Sequence, residues 1–394
     1  MKVYFDYNAT SPLHPEVLAQ MKDVLENFIG NPSSVHTEGR AARDIVENSR
    51  KKLAHLINAQ PEEIIFTSGG TESNNTALIG FALSWLKDGH KPFCILASPL
   101  EHPSIIKPLE FLKKIGFDVS FIQVDNKGRI IEEHLIELLK QKNPMLVTLS
   151  LCNHELGNLY PIKELTSICH QYGALVHTDA AQAIGKTLVD TRLLEVDLLS
   201  ISGHKFQGPK GIGALYISNR LKQYLPSINL LYGGGQEKGR RAGTENLASI
   251  AGMGLAASIA QTDFSSYTDH VKNLRDYLEK ELLTIPGSTI NGDPENRVPG
   301  TCNIHFEDVE GELLHMNLDI QGISIATGSA CSSGSTDPSS VLLAIGQSPK
   351  QAKQSVRFSL GRQNTLEEVV YVIEQTKQAI ARVRKVNSLF ASIY

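Results

Sequence analysis

Between residues 64 and 217 the chain alternates short apolar runs with longer stretches, and no other feature limits its fold so tightly. The runs fall at 64–67, 93–97, 119–123, 146–151, 174–178, 197–201 and 212–217. Helices are expected between most of them, one beginning at about 71. Two more precede the series, at 14–28, where Pro15 suits the first turn, and at 39–57. This alternation predicts an α/β fold with a mainly parallel, helix-covered sheet. A helix over 244–260 leads out of it. The remainder reads as α+β, with helices at 265–283, 310–318 and 366–383 and strands at 302–306 and 355–359. A domain boundary is expected near 261. At 394 residues the chain suits one large and one smaller domain.

Ligands of such sheets bind beyond the C-terminal ends of the strands, where Thr71, Asp179 and Ser202 fall. Ser202–Gly203–His204–Lys205 follows the buried-looking run 196–201 and precedes a glycine-proline turn. A lysine so placed is suited to hold pyridoxal phosphate through its amine. Ser202 and His204 can hydrogen-bond a phosphate, and Gly203 lets the backbone approach. The amine must lose its proton to react, and burial lowers the pKa of a lysine. In most proteins the same pattern is only a solvated turn. Asp179 ends the strand 174–178 and opens a turn or helix. It either caps that helix or holds a proton on the cofactor's pyridine nitrogen, and the two roles are compatible. Gly69–Gly70–Thr71, between a strand and a helix, forms either an ordinary capped turn or a phosphate seat of backbone N–H groups.

Cys331 stands in the run Gly328–Ser329–Ala330–Cys331–Ser332–Ser333–Gly334–Ser335. Small and hydroxylated neighbours favour an exposed, ionisable thiol. Taken alone, a lone cysteine in such a loop is more commonly an incidental thiol, and it is the surrounding motifs that count against that here. Cys94, Cys152, Cys169 and Cys302 lie in or beside apolar segments and read as small buried hydrophobes.

Taken in order, these pieces resemble a cysteine desulfurase of the NifS/IscS type, within the class V aminotransferases of PLP fold type I. The resemblance spans nearly the whole chain. It rests on Phe5–Thr10, Gly30–His36, Phe66–Ser73, Glu101–His102, Asp179–Gln182, Ser202–Lys205, Gly233–Glu237, Arg241–Thr244, Gly328–Cys331 and Arg357–Arg362. The Gly–Ser–Ala–Cys run resembles the NifS/IscS branch rather than the SufS-like one.

The resemblance implies a large PLP-binding domain at 13–261, with 1–12 and 262–394 forming a small domain that carries the Cys331 loop. It implies that His102 stacks on the cofactor ring and moves protons. Gln182 would donate to the ring's phenolic oxygen. Thr244 would reach the partner's phosphate across a homodimer, and Arg357 would clamp the substrate carboxylate with paired donors. Otherwise these four read as a loop histidine, a surface glutamine, part of a solvated linker and a surface ion pair. One departure stands out. The family usually carries Asn–Asn–Glu–x–Gly after the strand at 146–151, and here His154 replaces the second Asn, a cofactor contact. A bulkier ring that titrates is expected to change the cofactor's tuning and leave the reaction class alone.

The activity implied is removal of sulfur from L-cysteine, giving L-alanine and a persulfide on Cys331. The sulfur passes to an iron–sulfur scaffold protein or to tRNA-thiolation proteins. No resident metal is implied, although Cys331 would transiently share an iron–sulfur cluster with a scaffold. The tail 388–394 carries apolar residues suited to docking a scaffold or to packing on the chain itself. A selenocysteine lyase would use the same residues. An ordinary class V aminotransferase would not need Cys331. A non-catalytic docking module would not need Lys205, Asp179, Cys331 and Arg357 together.

Composition agrees. Net charge is −4, so no direct nucleic-acid partner is implied, and no apolar run approaches the roughly 20 residues of a membrane span. Five cysteines without a scaffold pattern, and a start that enters a motif at once, lead us to expect a reducing cytoplasm and no targeting segment.

Overall fold

The computed structural model describes residues 1–223, 228–327 and 337–391. Cys331 lies outside the described residues, as do 392–394 and the side chains of 386–391.

The strands in chain order are β1 (Val3–Tyr4), β2 (Ile64–Thr67), β3 (Cys94–Ala97), β4 (Asp118–Phe121), β5 (Leu146–Thr148), β6 (Leu175–Asp179), β7 (Leu198–Ser202), β8 (Gly213–Ile217), β9 (Ser288–Asn291), β10 (Thr301–Phe306), β11 (Ile323–Ser324), β12 (Ala326–Thr327) and β13 (Ser355–Ser359). A seven-stranded sheet has the order β2-β8-β7-β6-β5-β3-β4. From β7 to β4 every pairing is parallel. β8 is antiparallel to both β7 and β2. The cause is local: only the turn 203–212 separates β7 from β8, and without a crossover the chain must return antiparallel.

The period of two along each strand explains why these runs look uniformly apolar. Ile64, Phe66, Leu96, Val147, Leu199, Ile201 and Tyr216 pack into one cluster. Their alternates Ile65, Ile95, Ala97, Leu146, Leu198, Leu215 and Ile217 pack into another. Both faces are covered over most strands, so most positions on either face are apolar, and polar exceptions such as Thr148, His177 and Ser200 are buried and hydrogen-bonded to one another. Helices Pro15–Asn27 and Thr37–Leu56 pack on Leu247–Thr262, a helix buried along most of its length.

A second, antiparallel sheet, β12-β13-β10-β9, has its own apolar cluster. Val3 and Phe5 join that cluster, and β1 pairs with β11. Helices Phe264–Leu282 and Leu366–Ala391 pack together over this part of the chain. Strands β1, β9, β11 and β12 were not expected from sequence. Three are two residues long, and β9 alternates too weakly to stand out. The helix expected from 244 starts at Leu247, because the Asn246 side chain accepts the Ser249 N–H at 3.2 Å and caps it. Among the described residues no helix is long and apolar enough to cross a membrane.

The turn after β2 lies directly on β8. A Cβ at Gly213 would sit 2.6 Å from the Gly69 carbonyl carbon and 2.6 Å from Ile201 O, closer than real contacts allow. Gly213→Ala is therefore expected to lower stability by about 1–3 kcal/mol. The fall should appear as a lower urea midpoint at unchanged m. An unchanged midpoint would mean that the Gly69 turn moves aside freely.

Candidate active site

Strands β2, β6 and β7 end on one edge of the large sheet, at Thr67, Asp179 and Ser202. Beyond them lies a cavity of about 530 Å³. Of the residues singled out by sequence, Gly70, Thr71, His102, His154, Asp179, Gln182, Ser202, His204 and Lys205 all line it. Gly203, Thr244 and Arg357 do not. Gly203 closes the turn behind the cavity, where its N–H donates to Ile212 O at 3.0 Å. Thr244 is exposed on the surface. Arg357 is 4 % exposed on β13; its Nη2 pairs with Asp6 Oδ1 at 2.7 Å and its Nη1 donates to His154 O at 2.9 Å.

Lys205 ends a short helical turn, Gly203–Lys205. Its Nζ donates to the carbonyls of Asn8 at 2.5 Å and Ala9 at 2.9 Å. Asp179 is 7 % exposed. Its Oδ2 accepts from Asn74 Nδ2 at 2.7 Å and its Oδ1 from the Ala181 N–H at 2.9 Å. The first role weighed for Asp179 is thus partly met, since one oxygen caps the turn that follows β6. Gln182 Nε2 donates to Asn8 O at 2.8 Å. Gly70 opens a helical segment whose first residues, Gly70 and Thr71, line the cavity, and a Cβ at Gly70 would meet Ser202 Cβ at 3.3 Å.

His102 caps the helix Pro103–Lys114, its Nδ1 accepting from the Ser104 N–H at 3.1 Å. The His154 ring meets it edge to face, with centroids 5.1 Å apart. His154 Nε2 is 3.6 Å from Glu155 Oε1. His204 contacts Thr10 Oγ1 at 3.1 Å. Burial, then the nearby Lys205, Lys210 and Lys186, push its ring down to about 4, so it is neutral at physiological pH.

Several residues at the site escaped sequence reasoning. Asn74 bridges Asp179 and Ser104 Oγ and keeps its own Oδ1 buried without a partner. Asn8 binds Lys205 and Gln182 through its carbonyl. Neither sequence pattern nor spacing marks an asparagine as a hub, although Asn8 sits inside a quoted motif. Cys152 lines the cavity as a thiol that burial pushes up to about 12, an inert wall residue.

Glu101 is a further case. It is 3 % exposed, and its carboxyl accepts from the Ser150 N–H at 2.8 Å and from the Ser150 hydroxyl. Burial pushes it up to about 8, against the pull of those hydrogen bonds. The folded protein thus keeps a proton that the unfolded chain loses near its ordinary value. Stability from this group is full below pH about 4.5 and is lost as pH rises towards about 8. Glu101→Gln removes that loss while keeping both contacts to Ser150. Its melting temperature should therefore fall less than the wild type's between pH 5 and pH 8. Parallel melting curves across that window would show Glu101 ionised in the fold.

The comparisons with known proteins agree with the geometry. A family model described as aminotransferase class-V matches residues 3–372. A protein named cysteine desulfurase IscS, from Dictyoglomus turgidum, is 42 % identical over 98 % of this chain and 96 % of its own length. Among solved structures, a NifS-like protein superposes with a TM-score of 0.88 at 34 % identity, covering 97 % of this chain and all of its own. SspA in complex with cysteine gives a TM-score of 0.79 at 32 % identity over 91 % of this chain and 99 % of its own. A lysine and a buried carboxylate at the strand ends of one cavity, carried on a chain this similar over its whole length, leave one assignment: the protein belongs to the NifS/IscS-type cysteine desulfurases of the class-V aminotransferase family.

Proposed function

We propose that this chain is a pyridoxal phosphate-dependent cysteine desulfurase, working as a cytoplasmic homodimer. The observation that carries the reading is Asp179. Its buried carboxylate has hydrogen bonds from neutral groups only and no ion-pair partner among the described residues. A buried anion without a counter-charge is costly, and a protonated pyridine nitrogen supplies the missing partner. The rest of the cavity fits the same ligand. Backbone N–H groups at Gly70 and Thr71, the Ser202 hydroxyl and a neutral His204 suit a phosphate. Lys205 brings the amine, and the orphaned Oδ1 of Asn74 marks a polar position still to be met.

The cofactor supplies an electron sink for charge leaving the substrate's α-carbon. The chain does the rest. Asp179 would keep a proton on the ring nitrogen, and Gln182 would offer its amide N–H to the ring oxygen. The Lys205 amine would take the α-proton, and His102, on the cavity wall, would move a further proton. Arg357 binds the L-cysteine carboxylate. For this its contact with Asp6 opens, so Asp6 competes with the substrate for the guanidinium. Cys331 as thiolate attacks the substrate sulfur; the carbon–sulfur bond breaks, its electrons stay with the carbon that becomes alanine's methyl, and a persulfide forms on Cys331. A scaffold protein for iron–sulfur clusters, or a tRNA-thiolation protein, takes the sulfur, and Cys331 shares a cluster transiently with the scaffold.

A large domain at 13–261 and a small one of 1–12 with 262–394 is supported by an apolar cluster drawn wholly from the latter two segments, while Val298, Val341, Leu342, Ile345 and Ala352 pack across the boundary into the core of the large sheet. Thr244 is exposed beyond the reach of its own cavity, which supports a role on the partner's phosphate. Cys94, Cys152, Cys169 and Cys302 are all buried and free, as suits a reducing compartment.

The deciding experiment measures sulfide and alanine release from L-cysteine with a reductant, for wild type and Cys331→Ala, each checked for its yellow absorbance. Wild type should make both products, and the yellow variant should lose at least a hundredfold of sulfide release, roughly the scale for removing a nucleophile. Two yellow proteins that release no alanine would end the desulfurase reading. For His154→Asn, the expected outcome is a protein that still binds the cofactor but shows a shifted absorbance-versus-pH curve. An identical curve would remove His154 from the cofactor's surroundings.

A further inference from the structure

Lys186 lies four residues after Gln182, in the turns that follow β6, and is 6 % exposed. Its Nζ donates to Gln182 Oε1 at 2.6 Å and to Asn8 Oδ1 at 3.0 Å. Among the described residues it has no carboxylate partner. The groups that face it are Lys205 on the turn after β7, Arg357 on β13 and the thiol of Cys152 after β5. Two are cations and the third is a neutral thiol. Burial accordingly pushes the Lys186 amine down to about 7. A lysine kept in so unfavourable a place needs a physical reason, and its two hydrogen bonds supply one.

As an ammonium, Lys186 donates and never accepts, so below pH about 7 its contacts fix which end of each neighbouring amide points at it, and the lock weakens as the amine loses its proton above that. Gln182 must turn Oε1 towards Lys186, and that turns Nε2 the other way. One Nε2 hydrogen goes to Asn8 O at 2.8 Å, and the second is left for the cavity that Gln182 lines. Asn8 is oriented in the same way: Oδ1 meets Lys186, while Nδ2 donates to Thr301 Oγ1 at 2.9 Å and His154 O at 3.3 Å. The Asn8 carbonyl is thereby held where Lys205 Nζ reaches it.

We propose that Lys186 is a positioning residue, which locks the Gln182 amide so that the cavity presents an N–H donor, and never a carbonyl, to the cofactor's ring oxygen. The proposal rests on the cofactor reading given above. Without the ammonium, Gln182 Oε1 loses its partner and, among the described residues, the single contact from Nε2 to Asn8 O is all that still sets which way the amide faces. A hydrogen bond to a charged group contributes about 1.5–3 kcal/mol, equivalent to about one or two pH units.

The test compares wild type, Lys186→Met, Gln182→Leu and the double variant, each reloaded with pyridoxal phosphate after removal of the cofactor. Absorbance-versus-pH midpoints and the Kd for pyridoxal phosphate are the readouts. Lys186→Met should move the midpoint by about one unit and raise Kd about tenfold. In the Gln182→Leu background the same change should do little, because the residue it acts through is gone. Replacing a buried charge by a hydrophobe of similar volume is often neutral for stability. If Lys186→Met nevertheless fails to fold, Lys186→Gln gives the same readout, since an amide there accepts as well as donates and no longer dictates which way Gln182 faces. A yellow wild type and a yellow Lys186 variant with equal midpoints and equal Kd would overturn the proposal alone. So would an undiminished shift in the Gln182→Leu background. A wild type that takes up no pyridoxal phosphate would overturn the cofactor reading and this proposal with it.

Discussion

The backbone between Phe5 and Ser11 joins the two apolar cores, and the geometry of the cavity depends on that join. At one end the Phe5 N–H donates to Ser324 O at 2.8 Å, and the Ser359 N–H donates to Phe5 O at 2.8 Å. This end runs between the parallel pair β1-β11 and β13, the latter a strand of the small antiparallel sheet. At the other end the Ser11 N–H and hydroxyl both donate to His204 O, at 2.9 and 2.7 Å, on the turn that carries Lys205. Between them, Asn8 O receives Lys205 and Gln182. A backbone carbonyl has two lone pairs and no freedom to rotate away from its peptide plane. It thus gives the two side chains one shared reference point, fixed by strands on one side and by the lysine turn on the other.

Charge in the cavity follows from the same enclosure. Glu101 keeps its proton, and His204 stays neutral. His177, one layer below Asp179, is held between Thr148 Oγ1 at 2.8 Å and Ser200 Oγ at 3.0 Å, and burial pushes it down to about 4. Each of these groups avoids a buried charge by giving up ionisation. Asp179 differs in its partners, the Asn74 amide and the Ala181 N–H, both of them neutral donors.

Much of this was legible in the sequence. Most runs of the large sheet stood out because a strand covered on both faces carries few polar positions to blur it. Lys205, Asp179 and Gly70 were legible because strand ends in such a sheet converge on one edge. The short strands β1, β11 and β12 were not, since two residues carry no period. Neither Asn8 nor Lys186 could be assigned a role. Asn8 acts largely through its backbone carbonyl, which every residue type has. Lys186 looks in sequence like any solvated lysine after a turn, and only the packing of Arg357 and Lys205 around it shows that it is enclosed.

The glycine-rich stretch ahead of Thr244 shows the opposite failure, a segment whose composition suggests a flexible linker. Glu237 and Lys238 sit at φ 48° and 59°, a left-handed pair that costs L-residues roughly 1–2 kcal/mol each. That conformation persists because Glu237 is committed elsewhere. Its carboxylate takes both Arg50 Nη groups at 2.6 and 2.7 Å and the Phe66 N–H at 2.9 Å. A few residues on, Arg241 Nε pairs with Glu72 Oε1 at 2.9 Å. Phe66 belongs to β2 and Glu72 to the first turn of the helical segment opened by Gly70. The stretch leading to Thr244 is therefore tied to β2 and to the helical segment opened by Gly70, on the edge of the sheet where the cavity lies.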